Sequence, residues 1–231
     1  MNTQSAITAK MRHYGPHPGI LAIVFTLLFN AGLYPVTMYG GKPYFPGPWE
    51  SADVIQTFFQ ARPASAIICA FLQFGAAISL GLFTATITSQ LRFLGAKSAG
   101  VNIGLFGGLM TVFNIIASTF ILWAMAHPGI AQDATLIDAL YFIQYAFGGP
   151  GFSVSLGLLL AGVSITAGFM KLLPKWMVIF GIVLAAIGEL SWLNLILPKA
   201  LFLIPLTRFP AFVWLIAVGF KLPRTKDINK Q

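Results

Sequence analysis

Glu189 and Arg208 are the residues best placed to do chemistry, because each lies inside an apolar stretch long enough to cross a membrane. The turn between those two stretches centres on Pro198–Lys199, about nine or ten residues from either charge. At 1.5 Å per helical residue that is about 14 Å, close to the middle of a ~30 Å hydrocarbon layer. An isolated charge at that depth costs several kcal/mol, so each needs a partner. Equal depth makes each the natural partner of the other, and predicts a charge pair across the last hairpin. Such a pair could bind a polar group or relay protons at the floor of a cavity. It could equally be a structural clamp. Pro205 and Pro210 flank Arg208 and would free the carbonyls of Leu201 and Leu206 for a ligand, a water or the guanidinium.

A second set of candidates is uncharged. Asn30 and Tyr34 share a stripe of the first stretch with Thr26, and Gln73 lies in the second. Asn114 belongs to a stripe with Thr111 and Ser118. Tyr141, Gln144 and Tyr145 precede a glycine-rich break, and Trp192 and Asn194 lie near the end of the fifth stretch. Helix–helix hydrogen bonds explain such residues one at a time. Their concentration in the half away from the termini predicts a polar, outward-opening pocket. Other chemistry is poorly served. His13, His17 and His127 lie outside the stretches, so there is no histidine pair for an intramembrane haem. No mid-span lysine is present for a Schiff base, and no Walker loop, dinucleotide fingerprint or metal motif occurs. No cofactor and no metal is expected. A membrane enzyme acting on a lipid or isoprenoid would have Glu189 as its lone intramembrane acid or base, so the protein leans away from catalysis.

The elements that must carry these residues are helices. The chain is 57% hydrophobic and 9% charged, too few charges to solvate a soluble fold of this length. Apolar stretches at 18–39, 64–90, 99–126, 139–170, 176–197 and 200–220 predict an all-α, polytopic membrane bundle of six transmembrane helices in a single domain, 1–231. Alternating ten-residue segments that would suggest a membrane β-barrel are absent from the sequence. The net charge of +8 follows the positive-inside rule rather than a nucleic-acid footprint. Lys10, Arg12, Arg92, Lys97, Lys171, Lys175, Lys221, Arg224, Lys226 and Lys230 all fall on the side of the termini. Both termini are therefore expected in the cytoplasm, as a segment 1–17 and a basic tail 221–231. The first stretch is too long for a removable signal peptide. Cys69 is the only cysteine, so no internal disulfide can form.

The outer connection 40–63 is rich in proline and aromatic residues, suiting an interfacial anchor or a lid, and continues into a possible short helix over 54–61. Within the fourth region, Gly148-Gly149-Pro150-Gly151 interrupts an otherwise uniform helix. Either a separate helix over 136–147 lies in the interface and the span begins at Pro150, or one long helix is distorted there. Proline at a helix start favours the first. Small residues four apart, Gly100/Gly104/Gly108 and Ser153/Gly157/Ala161, predict close helix contacts, within the chain or with a membrane partner or second copy.

The run Phe147-Gly148-Gly149-Pro150-Gly151-Phe152, the Leu173-Pro174-Lys175-Trp176 turn before Gly181, and the closing 211–220 helix ending Gly219-Phe220-Lys221 resemble a bacterial integral-membrane family known as a domain of unknown function. The resemblance spans approximately Phe71 to Lys221 and does not take in the Gly40–Trp49 loop. It implies a multi-pass protein of the bacterial inner (cytoplasmic) membrane and brings no site residues with it. The function expected is a pocket for a small or amphiphilic ligand, in a sensor, carrier or accessory role. The alternative is a structural subunit of a larger membrane complex.

Overall fold

The computed structural model describes residues 10–227. Expectations for residues 1–9 and for the tail beyond 227, Lys230 included, lie outside them. Six helical segments are long and apolar enough to cross a membrane: Pro18–Val36, Pro63–Phe93, Ala99–Met125, Ala134–Phe169, Lys175–Leu195 and Pro198–Lys221. They match the six expected stretches to within a few residues. The chain is a multi-pass membrane helix bundle.

Local chemistry sets the ends of these helices. Helix α1 (Pro18–Leu33) opens with proline at its first position, and His17 Nδ1 accepts the Gly19 N–H at 3.1 Å. A short helix α2 (Ala52–Ala61) lies in the far-side connection, and α3 (Pro63–Phe93) follows at once. The chain leaves α3 through Gly95 (φ 106°), whose N–H bonds Arg92 O while the Ala96 N–H reaches back to Leu91 O. That double closure needs a left-handed residue, which glycine supplies without strain. Helix α4 is Ala99–Met125, and α5 is a single turn, Pro128–Ala131. Asp133 caps α6 (Ala134–Ala146), accepting the Thr135 and Leu136 N–H groups at 3.0 Å each. Helix α7 (Phe152–Phe169) ends in the same double closure as α3, here with Lys171 left-handed at φ 53°. Helix α8 (Lys175–Leu190) passes through two 3₁₀ segments, Ser191–Leu195 and Pro198–Phe202, into α9 (Leu203–Lys221).

The spans pack as a closed ring in chain order. Helix α1 packs on α3, α3 on α4, α4 on α7, α7 on α8, α8 on α9, and α9 returns to α1. A two-stranded antiparallel clasp, β1 (Lys10–Arg12) with β2 (Thr225–Asp227), joins the two ends, a feature the all-α expectation lacked. Gln90 anchors it to α3 by donating from Nε2 to Leu222 O and Pro223 O.

Both small-residue stripes are used inside the ring. A Cβ on Gly162 would lie 2.5 Å from Gly100 O and 2.6 Å from Gly104 Cα, so α4 and α7 touch backbone to backbone. Gly108 turns instead to Thr84 of α3. On α7, Gly157 meets α8 at Ala185 O, and Gly188 of α8 meets Ser153 O. The glycines that suggested a partner or homo-oligomer are thus covered by the chain's own helices.

The fourth region corrects an expectation. The backbone stays helical from Ala134 to Phe169, so 136–147 is not a separate interfacial helix. Residues Phe147–Gly151 form a π-helical turn in which the Phe152 N–H bonds Phe147 O, five residues back. Pro150 has no N–H to lose here, and the wider turn removes its clash with the preceding carbonyls. Sequence spacing could find the interruption but not its form.

Candidate functional site

The π turn is where the site begins. In a regular α-helix the Gly148 carbonyl would accept from the Phe152 N–H. That N–H is given to Phe147 O and Gly149 O, and Gly148 O accepts instead from Nη2 of Arg208 on α9. The glycines make this geometry possible. A Cβ on Gly148 would stand 2.6 Å from Ser118 Oγ, and one on Gly151 would stand 2.8 Å from Asn114 Oδ1. Asn114 braces the turn against α4, with Nδ2 reaching Gly151 O at 3.0 Å and Ser155 Oγ at 2.9 Å.

Arg208 lies among aromatic faces, its guanidinium carbon 4.5 Å from the Phe152 ring centre and 5.4 Å from that of Phe29. Such contacts stabilise a desolvated cation by up to ~2 kcal/mol each, offsetting part of the cost of burying it. Its Nε is buried and has no hydrogen-bond partner. Arg208 lines a half-open cavity of about 230 Å³ between α1, α3, α4, the π turn and α9. Gln73, Ser118, Gln144 and Tyr145 supply its other polar side chains, and Cys69 is part of its wall. Gln144 Nε2 donates to Ser118 Oγ at 2.9 Å, and the Tyr145 hydroxyl donates to Asn194 Oδ1.

The far-side connection roofs this space. Phe45 and Val36 reach its wall, and the Phe45 N–H bonds Val36 O at 2.8 Å. Arg62 holds the loop, donating to the carbonyls of Pro35, Gly40, Gly41 and Pro43 and to Ser65 Oγ. From below, the buried Tyr141 hydroxyl donates to Pro46 O at 2.5 Å.

The expected Glu189–Arg208 contact does not form. Arg208 rides over Phe152, whereas Glu189 packs at Gly157, where a Cβ would lie 3.0 Å from its Oε1. Facing rather than depth separates the two charges, because a Cβ on Gly188, next to Glu189, would stand 3.1 Å from Cγ2 of Thr207, next to Arg208. Among the described residues, Glu189 Oε1 has no hydrogen-bond partner, and no carboxylate comes within 4.0 Å of Arg208. Counting residues from the turn brings the two backbones to matching depth but cannot give the rotation of each helix, which the 3₁₀ segments on both sides of Pro198 change. Pro210 lies inside α9, as expected of a residue that frees the Leu206 carbonyl, whereas Pro205 acts differently. Pro205 lies in the first turn of α9, where a missing N–H breaks nothing, and Arg208 finds its acceptor on another element.

Of the uncharged candidates, Gln73 and Gln144 line the cavity. Asn114 and Tyr141 sit behind its walls as braces. Asn30 and Tyr34 do not join them: Asn30 is exposed and bonds Thr26 O of its own helix, and Tyr34 is 60% exposed and stacks on Tyr39. Trp192 is 52% exposed and points away as well. Facing errors of this kind arise because a mid-span polar residue can satisfy itself on the preceding turn. Phe29, Phe152 and the Gly148 carbonyl were not singled out by sequence, although Gly-Gly-Pro-Gly did signal carbonyls released from helical bonding.

Fold and site together define a multi-pass membrane helix ring with a half-buried arginine lining a cavity between its helices. Comparison with family models, curated proteins and solved structures finds no match.

Proposed function

We propose that the protein holds a small or amphiphilic ligand in a cavity reached from outside the cell, as a sensor, carrier or accessory protein of a bacterial cytoplasmic membrane. The observation that carries this is Arg208, a half-buried cation lining a cavity of about 230 Å³ that contains further uncharged polar groups, with Gly148 O as its one hydrogen-bond acceptor among the described residues. A merely structural arginine would have its donors used by protein acceptors. The ten basic residues on the terminus side support cytoplasmic termini, which puts the roofed end of the cavity outside. The resemblance of Phe71–Lys221 to a bacterial membrane family agrees with that setting.

Cys69 is a built-in reporter of this cavity, being the sole cysteine. In lipid nanodiscs, methylmercury, which captures protonated thiols, should add to Cys69 in the folded protein. Gln73→Phe, which fills the cavity, should slow the addition at least tenfold. Capture only after unfolding would refute a cavity open to small molecules.

One observation favours the alternative of a structural subunit. Among the described residues, Glu189 is half-buried at membrane depth and its Oε1 has no hydrogen-bond partner. A second polypeptide donating a hydrogen bond there would satisfy it. Affinity purification in mild detergent that returns a stoichiometric partner, lost with Glu189→Leu, would establish that role.

A further inference from the structure

We propose that the cavity takes a small organic monoanion of about the size of one carboxylated aromatic ring, which approaches past Tyr145 and Leu201. This deepens the ligand-holding role proposed above and rests on it.

Charge is the first ground. Of the residues lining the cavity, Arg208 alone is charged, and neither Asp nor Glu is among them. Nη2 donates to Gly148 O, the guanidinium's one hydrogen bond among the described residues, so its donors are not all used. A carboxylate is the planar acceptor that matches a guanidinium edge, and pairing within such surroundings is far stronger than in water. A cationic ligand would add a second positive charge to a space that already fails to neutralise one. A neutral ligand would leave the free donor with weak compensation.

Size and wall chemistry are the second ground. A dry cavity of ~150 Å³ accommodates benzene. The volume of about 230 Å³ here leaves room for one ring and a carboxylate. Phe29 and Phe152 already flank the guanidinium, and Ile115, Leu122 and Ile204 provide apolar wall for a ring. Ser118 and the two glutamines can meet further polar substituents.

The way in is the third ground. A second hollow of about 370 Å³ lies between the loop residues Pro48 and Trp49 and the 3₁₀ segments near Asn194 and Pro198. It shares Tyr145 and Leu201 with the Arg208 cavity, so these two side chains are the common wall. Tyr145 is fixed there by its bond to Asn194 Oδ1. Rotation of that ring would join the two spaces without moving a helix.

An isosteric series tests the proposal: benzoate, benzamide and benzamidine share one shape and differ in charge. Each is added to protein in nanodiscs while methylmercury capture of Cys69 is followed by intact mass, with calorimetry as an independent readout. Benzoate should protect at concentrations at least tenfold below benzamide, and benzamidine should not protect. Arg208→Gln should bring benzoate and benzamide to equal potency. Tyr145→Phe, freed from Asn194, should raise the rate at which benzoate protects and leave the benzoate-over-benzamide preference intact. Equal protection by benzamide or benzamidine in the unaltered protein would overturn the anion assignment. If none of the three protects although Cys69 reacts readily, the monoanion inference fails and the open cavity stands. If Cys69 is inert in the folded protein, both fall.

Discussion

Replacing Gly162 with alanine should open the α4–α7 seam, and the size of the effect can be worked from the contact itself. The new methyl would lie 2.5 Å from Gly100 O and 2.6 Å from Gly104 Cα, about 1 Å inside ordinary contact, and backbone atoms cannot rotate away. The helices must separate. Overpacking of this sort costs about 1–3 kcal/mol, and a 1 Å gap forfeits up to half of each dispersion contact along the seam. Removing a mid-helix glycine returns about 1 kcal/mol of helix propensity, so a net loss of about 2 kcal/mol is expected. Gly81→Ala is the control: its methyl would find Val112 at 3.6 Å, an ordinary contact, and should be neutral or stabilising by up to ~1 kcal/mol. Reversible unfolding in mixed detergent–SDS micelles, followed by tryptophan fluorescence, measures both. Gly162→Ala within about 0.5 kcal/mol of wild type, or Gly81→Ala equally harmful, would refute the packing argument.

Glu189→Gln should change stability by less than about 1 kcal/mol, since Arg208 draws its bond from Gly148 O; a loss of the ~3–5 kcal/mol typical of a broken buried pair, in the same unfolding assay, would restore the ion pair. The β1–β2 clasp should loosen in acid. Burial, and then the nearby Arg224 charge, lower the His13 pKa below its ordinary 6.5. The unfolded form therefore binds the proton more readily, so stability contributed by neutral His13 is full above 6.5 and is lost as pH falls through and below that value. Hydrogen exchange at Met11 and Arg12, corrected for intrinsic rate, should accelerate below pH 6.5 in wild type and much less in His13→Gln. Under the proposed cytoplasmic orientation of the termini, a C-terminal alkaline-phosphatase fusion should be inactive; an active fusion contradicts that orientation.

The six spans were legible because length and apolarity alone decide membrane crossing, and both survive without knowledge of packing. Helix ends were less legible: the fourth region starts at Ala134 behind the Asp133 cap, not at 139 or Pro150, because a cap is set by local hydrogen bonding rather than by apolarity. The site was harder. Arg208, Gln73 and Gln144 could be chosen by type and depth, yet Asn30 and Glu189 satisfy the same criteria and face elsewhere. Facing depends on rotation about each helix axis, and the π turn and the two 3₁₀ segments reset that rotation within a few residues. A polar stripe drawn on an ideal helix cannot follow such resets.

The closed ring has a consequence for biogenesis. Spans leave the ribosome in order, and α1 meets its neighbour α3 early. Its other neighbour, α9, is the last of these six to be synthesised. Until α9 inserts, the edges of α1 and α8 that it will cover stay open to lipid, and the cavity lacks Ile204, Pro205 and Arg208. The costly charge is therefore delivered at the moment when Phe29, Phe152 and the Gly148 carbonyl already wait to receive it. Chains cut short before Pro198 would present an unclosed helical edge at the membrane, the kind of surface on which quality-control proteases act. Chains that include α9 would hide it.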